Sequence, residues 1–252
     1  KVLILKNIKD QNKTIMSNTG ASLIDIGDGV ACLEYHSKMN SIGQDIISLS
    51  IKAVDEVNKN HQALVINNQH INAFSAGANL MLLLMSIMEQ EWEEIDFFIR
   101  LFQKMNMNFR YSLKPVIAVP HGLTLAGGCE VVIHSDLVVA NAETYMGMVE
   151  AGAGLLPAGG GTKEMLLRMM DNAPDNAIEL PFIQKAFETI AMAKVSTSAM
   201  EAKELGLLKQ SDRIVINKDH QLYYAKEAAL GMAKSGYLPP RECKNIPVTG
   251  KQ

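Results

Sequence analysis

The sequence predicts an α/β fold, because short apolar runs of strand length alternate along it with longer amphipathic stretches of helical spacing. Gln62–Asn67 and Pro115–Val119 are runs of the first kind, and Gly43–Asn58 is a stretch of the second. A chain of 252 residues can bury a large core as one domain, which is common among α/β proteins of this size. No repeat of sequence is visible, although strand–helix pairs recur.

The first half of the chain is predicted to open with a hairpin. Apolar and polar residues alternate on both sides of Gly27-Asp28-Gly29, and such a turn between two alternating runs is a hairpin signal. The predicted elements are strands at Ala21–Ile26, Val30–Tyr35 and Gln62–Asn67, and helices at Gly43–Asn58 and from Met81 to about Tyr111.

The second half continues the alternation. A buried strand at Pro115–Val119 leads into a helix behind Gly128, and Asp171–Glu179 is predicted as a loop. The other predicted elements are strands at Asp136–Asn141 and Arg213–Ile216, and helices at Gly161–Met170, Leu180–Met192, Ala199–Leu205 and Gln221–Lys234.

The chain is predicted to divide into three parts, which are a linker or arm over residues 1–20, a core over residues 21–216 and a helical C-terminal segment over residues 217–252. It lacks an initiator Met and finishes on a polar stretch. We therefore expect a truncated C-terminal segment and a fragment of a longer polypeptide.

Composition narrows the classes of protein. A formal net charge of −3 argues against a general nucleic-acid binder, which would show a basic face. Cys32, Cys129 and Cys243 are widely separated and have no metal-ligand spacing, so neither a disulfide framework nor a zinc site is expected. These cysteines favour a reducing, cytoplasmic location. No run of about 18 apolar residues exists, so no membrane span is expected.

Two acidic residues in one compact stretch carry the strongest chemical signal. Glu130 follows Ala126-Gly127-Gly128 in the first turn of a predicted helix, and Glu150 comes after the next strand. Small residues let the backbone approach a ligand closely, and two carboxyl groups can serve as proton carriers on one substrate. The stretch therefore indicates acid–base chemistry beside backbone N–H groups that could stabilise an anion.

Simpler interpretations remain open for each of these residues. Glu130 could merely oppose a helix dipole, and Glu150 could be a solvated loop charge. The small residues Ala76-Gly77-Ala78 and Ala126-Gly127-Gly128 could be close-packed turns. Against the first interpretation, Glu130 has apolar neighbours and no Lys or Arg nearby in sequence, which is typical of a carboxyl group with a raised pKa.

Other glycine and serine motifs do not fit known sites. Gly152-Ala153-Gly154 is followed by Pro157 where a dinucleotide fingerprint has Gly, and Gly159-Gly160-Gly161 precedes Thr-Lys rather than the Lys-Ser/Thr of a phosphate loop. Ser75 does not lie in a nucleophile elbow. His121 and His134 flank the acidic stretch, and a lone His is more often structural.

Three segments of the chain resemble a known family. NAFSAGANL, KPVIAVPHGLTLAGGCEVVIHSDLVVA and YMGMVEAGAGLLPAGGGT are similar to segments of the crotonase superfamily, the enoyl-CoA hydratases and isomerases. The resemblance covers roughly residues 21–234. It implies a spiral of ββα units with a small helical C-terminal region. Two further segments, LPAGGGTKEMLLR and PFIQKAFETIAMAKVSTSA, are most similar to the hydratase part of fused β-oxidation proteins, which also carry a 3-hydroxyacyl-CoA dehydrogenase.

The resemblance also implies roles for single residues. Glu130 and Glu150 match the two catalytic positions, while Ala78 and Gly127 match the N–H groups of the oxyanion hole. The substrate-binding positions implied are Lys38, Met39, Asn40, Ala76, Gly77 and Gly128.

The function implied is hydration of a trans-2-enoyl-CoA in fatty-acid β-oxidation. Coenzyme A would enter as part of the acyl-CoA thioester substrate, with no metal and no tightly bound cofactor, and the assembly would be a homotrimer or hexamer. A Δ3,Δ2-enoyl-CoA isomerase, an acyl-CoA hydrolase and a non-catalytic acyl-CoA-binding module remain as alternatives.

Overall fold

The computed structural model describes residues 1–171, 174, 178–244 and 246. Its strands are β1 Thr14–Ser17, β2 Ala21–Asp25, β3 Val30–Tyr35, β4 Ala63–Asn67, β5 Ala73–Ser75, β6 Val116–Ala118, β7 Gly122–Leu125, β8 Leu137–Asn141, β9 Thr144–Gly147 and β10 Arg213–Val215. Its helices are α1 Leu5–Asp10, α2 Gln44–Asn60, α3 Leu80–Met88, α4 Trp92–Arg110, α5 Gly127–Ile133, α6 Gly161–Asp171, α7 Leu180–Ala191, α8 Ala199–Glu204 and α9 Lys218–Lys234.

The strands form two sheets. The larger has the order β1-β2-β3-β4-β6-β8-β10, antiparallel from β1 to β3 and parallel from there on. The smaller has the order β5-β7-β9, and its strands are parallel. The α/β prediction is confirmed.

The chain visits the two sheets alternately. β4 of the large sheet is followed by β5 of the small one and then by α3 and α4. The same succession recurs as β6, β7 and α5, and again as β8, β9 and α6. This succession is the ββα spiral that the family resemblance implies.

The large sheet is buried on both faces because its side chains alternate between two apolar clusters. Leu64 and Ile66 of β4 face the cluster that contains α2 and α4, whereas Val65 faces the cluster that contains Leu222 and Ala225 of α9. Burial on both faces explains why β4 and β6 read as continuous apolar runs rather than alternating ones.

The structure differs from the sequence prediction in three places. Residues 1–20, predicted as a linker or arm, contain α1 and the sheet-edge strand β1. The predicted helix from Met81 to about Tyr111 is two helices, which are separated at Gln90, a residue with φ of 60°. The small sheet was not predicted, because its strands have only three or four residues and include Gly122.

Parts of two predicted segments fall outside the residues that the structure describes. They are most of the loop predicted at Asp171–Glu179 and the end of the predicted C-terminal segment. The division into three parts remains a prediction. Within the described residues, no helix combines the length and the apolar character needed to cross a membrane.

A buried lysine fixes α9 to the hairpin. Lys226 donates to the Ile26 carbonyl at 2.7 Å and lies 2.7 Å from a carboxylate oxygen of Asp28. Replacing Lys226 by Met would leave the buried carbonyl without its donor. We therefore expect Lys226→Met to lower the free energy of unfolding by about 1–3 kcal/mol in urea titrations.

The matched control is Lys234→Met, which changes an exposed lysine on the same helix. We expect it to shift stability by less than about 0.5 kcal/mol. Equal losses in the two variants would contradict the importance of the Lys226 contacts.

Candidate active site

Three turns meet at one edge of the small sheet. β5 ends at Ser75 and leads into Ala76-Gly77-Ala78, β7 ends at Leu125 and leads into Ala126-Gly127-Gly128, and β9 leads through Met148 to Glu150. The strands are parallel and β7 lies in the middle, so their carboxyl ends share one edge. Such an edge is where ligands usually bind in parallel α/β sheets.

The first two turns are in contact. A Cβ added to Gly77 would lie 2.6 Å from the Ala126 Cβ and 3.3 Å from the Gly127 nitrogen, and one added to Gly128 would lie 2.7 Å from the Ser75 Cβ. Only glycine leaves room for this approach at these two positions. The stretches predicted as backbone candidates are therefore brought together, as the sequence reasoning required.

The backbone of these turns is held in an unusual shape. Ala126 has φ of 50° and ψ of −125°, which is a region that residues other than glycine rarely adopt. Gly127 follows it as the first residue of α5, where an N–H has no partner within the helix. Across the described part of the chain, neither the Ala78 N–H nor the Gly127 N–H donates to another protein group. Each of these N–H groups is therefore left without a protein acceptor there, and Gly127 is buried.

Glu130 lies in the first turn of α5 with only 1% of its surface exposed. Its Oε1 accepts the Gly161 N–H at 2.8 Å. Burial raises the pKa of the Glu130 carboxyl to about 8, and the charge of Glu150 adds to the rise. Hydrogen bonds from the backbone of Gly161 and Gly159 oppose it. The group is thus a carboxyl that can hold a proton near neutral pH.

Glu150 begins a short 3₁₀ turn, Glu150–Ala153, and is half-buried. Burial raises the pKa of its carboxyl to about 7. Among the described residues, its buried Oε2 has no hydrogen-bond partner. In the same part of the chain, no Lys, Arg or His nitrogen lies within 4.0 Å of either glutamate. Neither carboxyl group is therefore in ion-pair contact with a cation there, and the charge of Glu150 acts on Glu130.

The loop that holds Glu130 was not predicted from the sequence. Gly159-Gly160-Gly161 has the spacing of a phosphate loop only in part, and no other role was predicted for it. In the structure, a Cβ on Gly159 would lie 2.7 Å from Glu130 Oε2, and one on Gly161 would lie 2.8 Å from Oε1. These glycines allow the backbone to close around the carboxylate. Three consecutive glycines next to a helix were the available signal, but nothing in the sequence linked them to Glu130.

The turn Lys38–Asn40 lies beside the same edge. The Met39 carbonyl accepts the Ala76 N–H at 3.2 Å, and the Asn40 carbonyl accepts the Ser75 hydroxyl at 2.8 Å. Lys38 and Met39 line a cleft of about 660 Å³, whereas Asn40 is buried and its side chain donates to the Ala73 carbonyl at 3.0 Å. Neither glutamate lines this cleft.

The two histidines are both buried. His121 Nε2 lies 2.8 Å from the His70 carbonyl, and His134 Nδ1 lies 2.6 Å from the carbonyl of Glu130. Burial lowers the pKa of each imidazole to about 4. Both rings are therefore neutral near pH 7 and bond to the backbone, in line with their structural interpretation.

Comparison with known proteins decides the family. The sequence profile of the enoyl-CoA hydratase/isomerase family matches residues 29–174, which is more than half of the chain. The chain belongs to the enoyl-CoA hydratase/isomerase family. A protein of Bacillus subtilis (strain 168) described as "Probable 3-hydroxyacyl-CoA dehydrogenase" is 47% identical over 236 residues, covering 94% of this chain but 29% of its own length. The human mitochondrial methylglutaconyl-CoA hydratase is 28% identical, covering 79% and 53%.

Solved structures agree on the fold of this hydratase/isomerase family member. The crystal structure of an enoyl-CoA hydratase from Polaromonas sp. JS666 superposes with a TM-score of 0.70 at 23% identity, covering 84% of this chain and 77% of that one. The enoyl-CoA hydratase from Bacillus anthracis gives a TM-score of 0.66 at 20% identity, covering 86% and 76%. The crotonase fold is thereby confirmed.

The raised pKa of Glu130 has a consequence for stability. An unfolded Glu ionises near its ordinary pKa of 4.5, whereas the folded protein keeps the proton up to about pH 8. The folded state therefore binds more protons than the unfolded state in this window, and its free energy of unfolding falls as pH rises. A glutamine at position 130 cannot lose this proton, so we expect the free energy of unfolding of Glu130→Gln to fall less. Between pH 5 and 8, the difference in free energy of unfolding between the two proteins should shift in favour of the variant by at least about 1 kcal/mol.

Urea titrations at several pH values measure this difference, with Glu227→Gln on the exposed side of α9 as the control. A difference in free energy of unfolding that does not change with pH would contradict the raised pKa of Glu130.

Proposed function

We propose that this chain is an enoyl-CoA hydratase, which adds water to a trans-2-enoyl-CoA to give a 3-hydroxyacyl-CoA. The observation that carries the proposal is the pair Glu130 and Glu150, two carboxyl groups with raised pKa values and no cation in contact. Hydration needs a base for the water and an acid for the α-carbon, and a pair of this kind can supply both near neutral pH.

In the proposed mechanism, the thioester carbonyl accepts the N–H groups of Ala78 and Gly127. Negative charge that develops on this oxygen during addition then meets dipoles that are already oriented, and one such donor is typically worth about 10²–10³ in rate. The reacting form of the pair is the one in which Glu130 is ionised and Glu150 holds the proton that the two groups share. In that form, Glu130 takes a proton from the attacking water as the water oxygen bonds to C3. Glu150 gives a proton to C2, so the substrate gains one water and the two carboxyl groups exchange their protonation states.

Binding of coenzyme A is assigned to the cleft beside Lys38 and Met39. This cleft opens on the same turn that supports Ala76. Lys38 would meet a phosphate of the ligand as a point charge. Ala76 would lie beside the thioester end, whereas Gly77 and Gly128 would act indirectly, by letting the two turns of the site approach each other. Asn40 would hold the Lys38–Asn40 turn through its bond to the Ala73 carbonyl.

The proposed setting is fatty-acid β-oxidation, in which a 3-hydroxyacyl-CoA dehydrogenase oxidises the product of hydration. The similarity to a Bacillus protein that carries the dehydrogenase name, and of which this chain spans less than a third, supports a linked dehydrogenase domain. A homotrimer or hexamer is proposed from the family resemblance.

Replacing each glutamate in turn tests the mechanism. We expect Glu130→Gln and Glu150→Gln each to lower kcat for hydration of crotonyl-CoA by about 10²–10⁴, because each removes one proton-transfer group. Loss of enoyl absorbance measures the rate. Glu227→Gln, on the surface of α9, is the control.

Other outcomes would favour the alternatives. If only one variant loses activity and a 3-enoyl-CoA is converted, the isomerase reaction is supported. Release of free CoA would indicate a hydrolase, and tight acyl-CoA binding without turnover would indicate a binding module.

The pH profile gives a second test. Hydration needs one carboxyl group of the pair protonated and the other ionised, and the pKa values are raised to about 7 for Glu150 and about 8 for Glu130. We therefore expect kcat/KM for crotonyl-CoA to follow a bell-shaped curve with its maximum between these values. Limbs near pH 4 to 5, as for ordinary carboxyl groups, would contradict the assignment.

A further inference from the structure

The loop Gly159-Gly160-Gly161 cannot maintain its shape with its own side chains. Gly160 has φ of 104°, a conformation open to glycine alone, and glycine has more freedom to leave it than any other residue. Yet the loop must stay closed around Glu130, because its N–H groups provide the hydrogen bonds that the carboxylate accepts. Its rigidity must come from residues outside it.

Helix α4 supplies that support through two amide side chains. Asn106 Nδ2 donates to the Gly159 carbonyl at 2.9 Å, and Gln103 Nε2 donates to the Ala158 carbonyl at 2.8 Å. The two residues are three apart and so lie on the same face of the helix. Between them, they contact successive carbonyl groups of the segment that enters the loop.

The two contacts differ in burial. Asn106 is 0% exposed, whereas the contact from Gln103 is at the surface. Phe102, one residue before Gln103, fills the space next to both Gly159 and Gly127. The Asn106 bond is therefore made where water cannot replace it, and it is the one that the loop depends on.

Burying the polar side chain of Asn106 costs free energy, and packing alone gives no reason for a polar residue at this position. Its Oδ1 is buried and has no hydrogen-bond partner among the described residues. An unsatisfied buried acceptor costs about 1–3 kcal/mol, so an apolar side chain of the same shape would pack there with less loss. What only the amide provides is its N–H donor to the Gly159 carbonyl.

We propose that Asn106 is a positioning residue for the reaction, holding the peptide of Gly159 so that the loop N–H groups stay directed at the Glu130 carboxylate. The kinetic part of this proposal rests on the proposed hydratase function, whereas the structural part does not. Asn106 does not itself touch the reacting atoms.

The charged and titratable groups around the loop come from four parts of the chain. His134, which follows the last residue of α5, lies against Gly160, where an added Cβ would be 3.0 Å from Nε2. Behind it, Glu164 of α6 is contacted by Lys163 at 2.8 Å and by Arg110 of α4 at 3.8 Å. Glu150 is the remaining charged group, and its charge acts on Glu130. Replacing Asn106 by an apolar residue changes none of these charges, so a shift in the titration of Glu130 would report the hydrogen bonds from the loop.

The direction of that shift follows from the geometry. Hydrogen bonds to a carboxylate favour its charged form, and weakening them raises its pKa. We expect Asn106→Leu to raise the titration midpoint of Glu130 by about half a pH unit or more. If the chain is a hydratase, kcat for crotonyl-CoA should fall by about tenfold to hundredfold, the loss typical when a group that orients a functional residue is removed. KM should stay within about threefold.

Infrared difference spectra test this without relying on activity. The carboxyl band of Glu130 is identified by subtracting the spectrum of the same protein with Glu130→Gln, and it is followed from pH 5 to 10. The matched control is Gln103→Leu, which removes the surface amide that bonds to the Ala158 carbonyl. In this variant, the titration midpoint of Glu130 should stay within about 0.2 pH units and kcat within about twofold, as expected for a change at an exposed position. Circular dichroism confirms folding.

Each result bears on the proposal. A raised midpoint in Asn106→Leu and not in Gln103→Leu supports it, even if crotonyl-CoA is not hydrated at all, in which case only the proposed function fails. An unchanged midpoint in a folded Asn106→Leu overturns it. If Asn106→Leu does not fold, the same measurements are made on Asn106→Ala. Failure of both variants to fold would also overturn the proposal, because a residue that only orients a loop is not needed for folding.

Discussion

A carboxyl group buried without a cation is the constraint on which the rest of this structure depends. Removing an ionised carboxylate from water is unfavourable unless other groups replace its hydration. Around Glu130, the replacement consists of backbone N–H groups from a loop of three glycines. This solution leaves the pKa raised, whereas a lysine or arginine in contact would have lowered it. A proton can thus be held or released near neutral pH, which a fully paired carboxylate could not do.

The small sheet explains how such different pieces of chain reach one place. Each of its three strands is only three or four residues long, and each ends at the same edge in a turn that carries part of the site. β7 is central, so the turn bearing Gly127, with Glu130 in the helix behind it, lies between the turns that lead to Ala78 and to Glu150. The large sheet, buried on both faces by α9 and by the helices opposite, provides the fixed base from which these strands extend.

The sequence could predict the site residues better than their support. Glu130 and Glu150 stand out because apolar residues surround them, and Ala78 and Gly127 because small residues follow strands. The turns that carry Ala78 and Gly127 are in contact, while the roles of all four residues remain proposals. Strands as short as β5 and β9 have too few residues for a periodic pattern to emerge. The contact of Gly161 with Glu130 spans 31 residues and depends on tertiary packing, which local patterns do not encode.

Glycine and alanine have different structural roles at the edge of the small sheet, and the space around each position explains the difference. Glycine occurs at positions 77, 128, 159 and 161, where an added Cβ would meet backbone, a ring or the carboxylate itself. Ala126 occupies a backbone conformation that favours glycine, and its Cβ faces the bare Cα of Gly77. That methyl group fills the space the missing side chain leaves and limits how far the two turns can shift. The strain at Ala126 is therefore compensated by packing, and the N–H groups of Ala78 and Gly127 are kept in place by contact rather than by hydrogen bonds of their own.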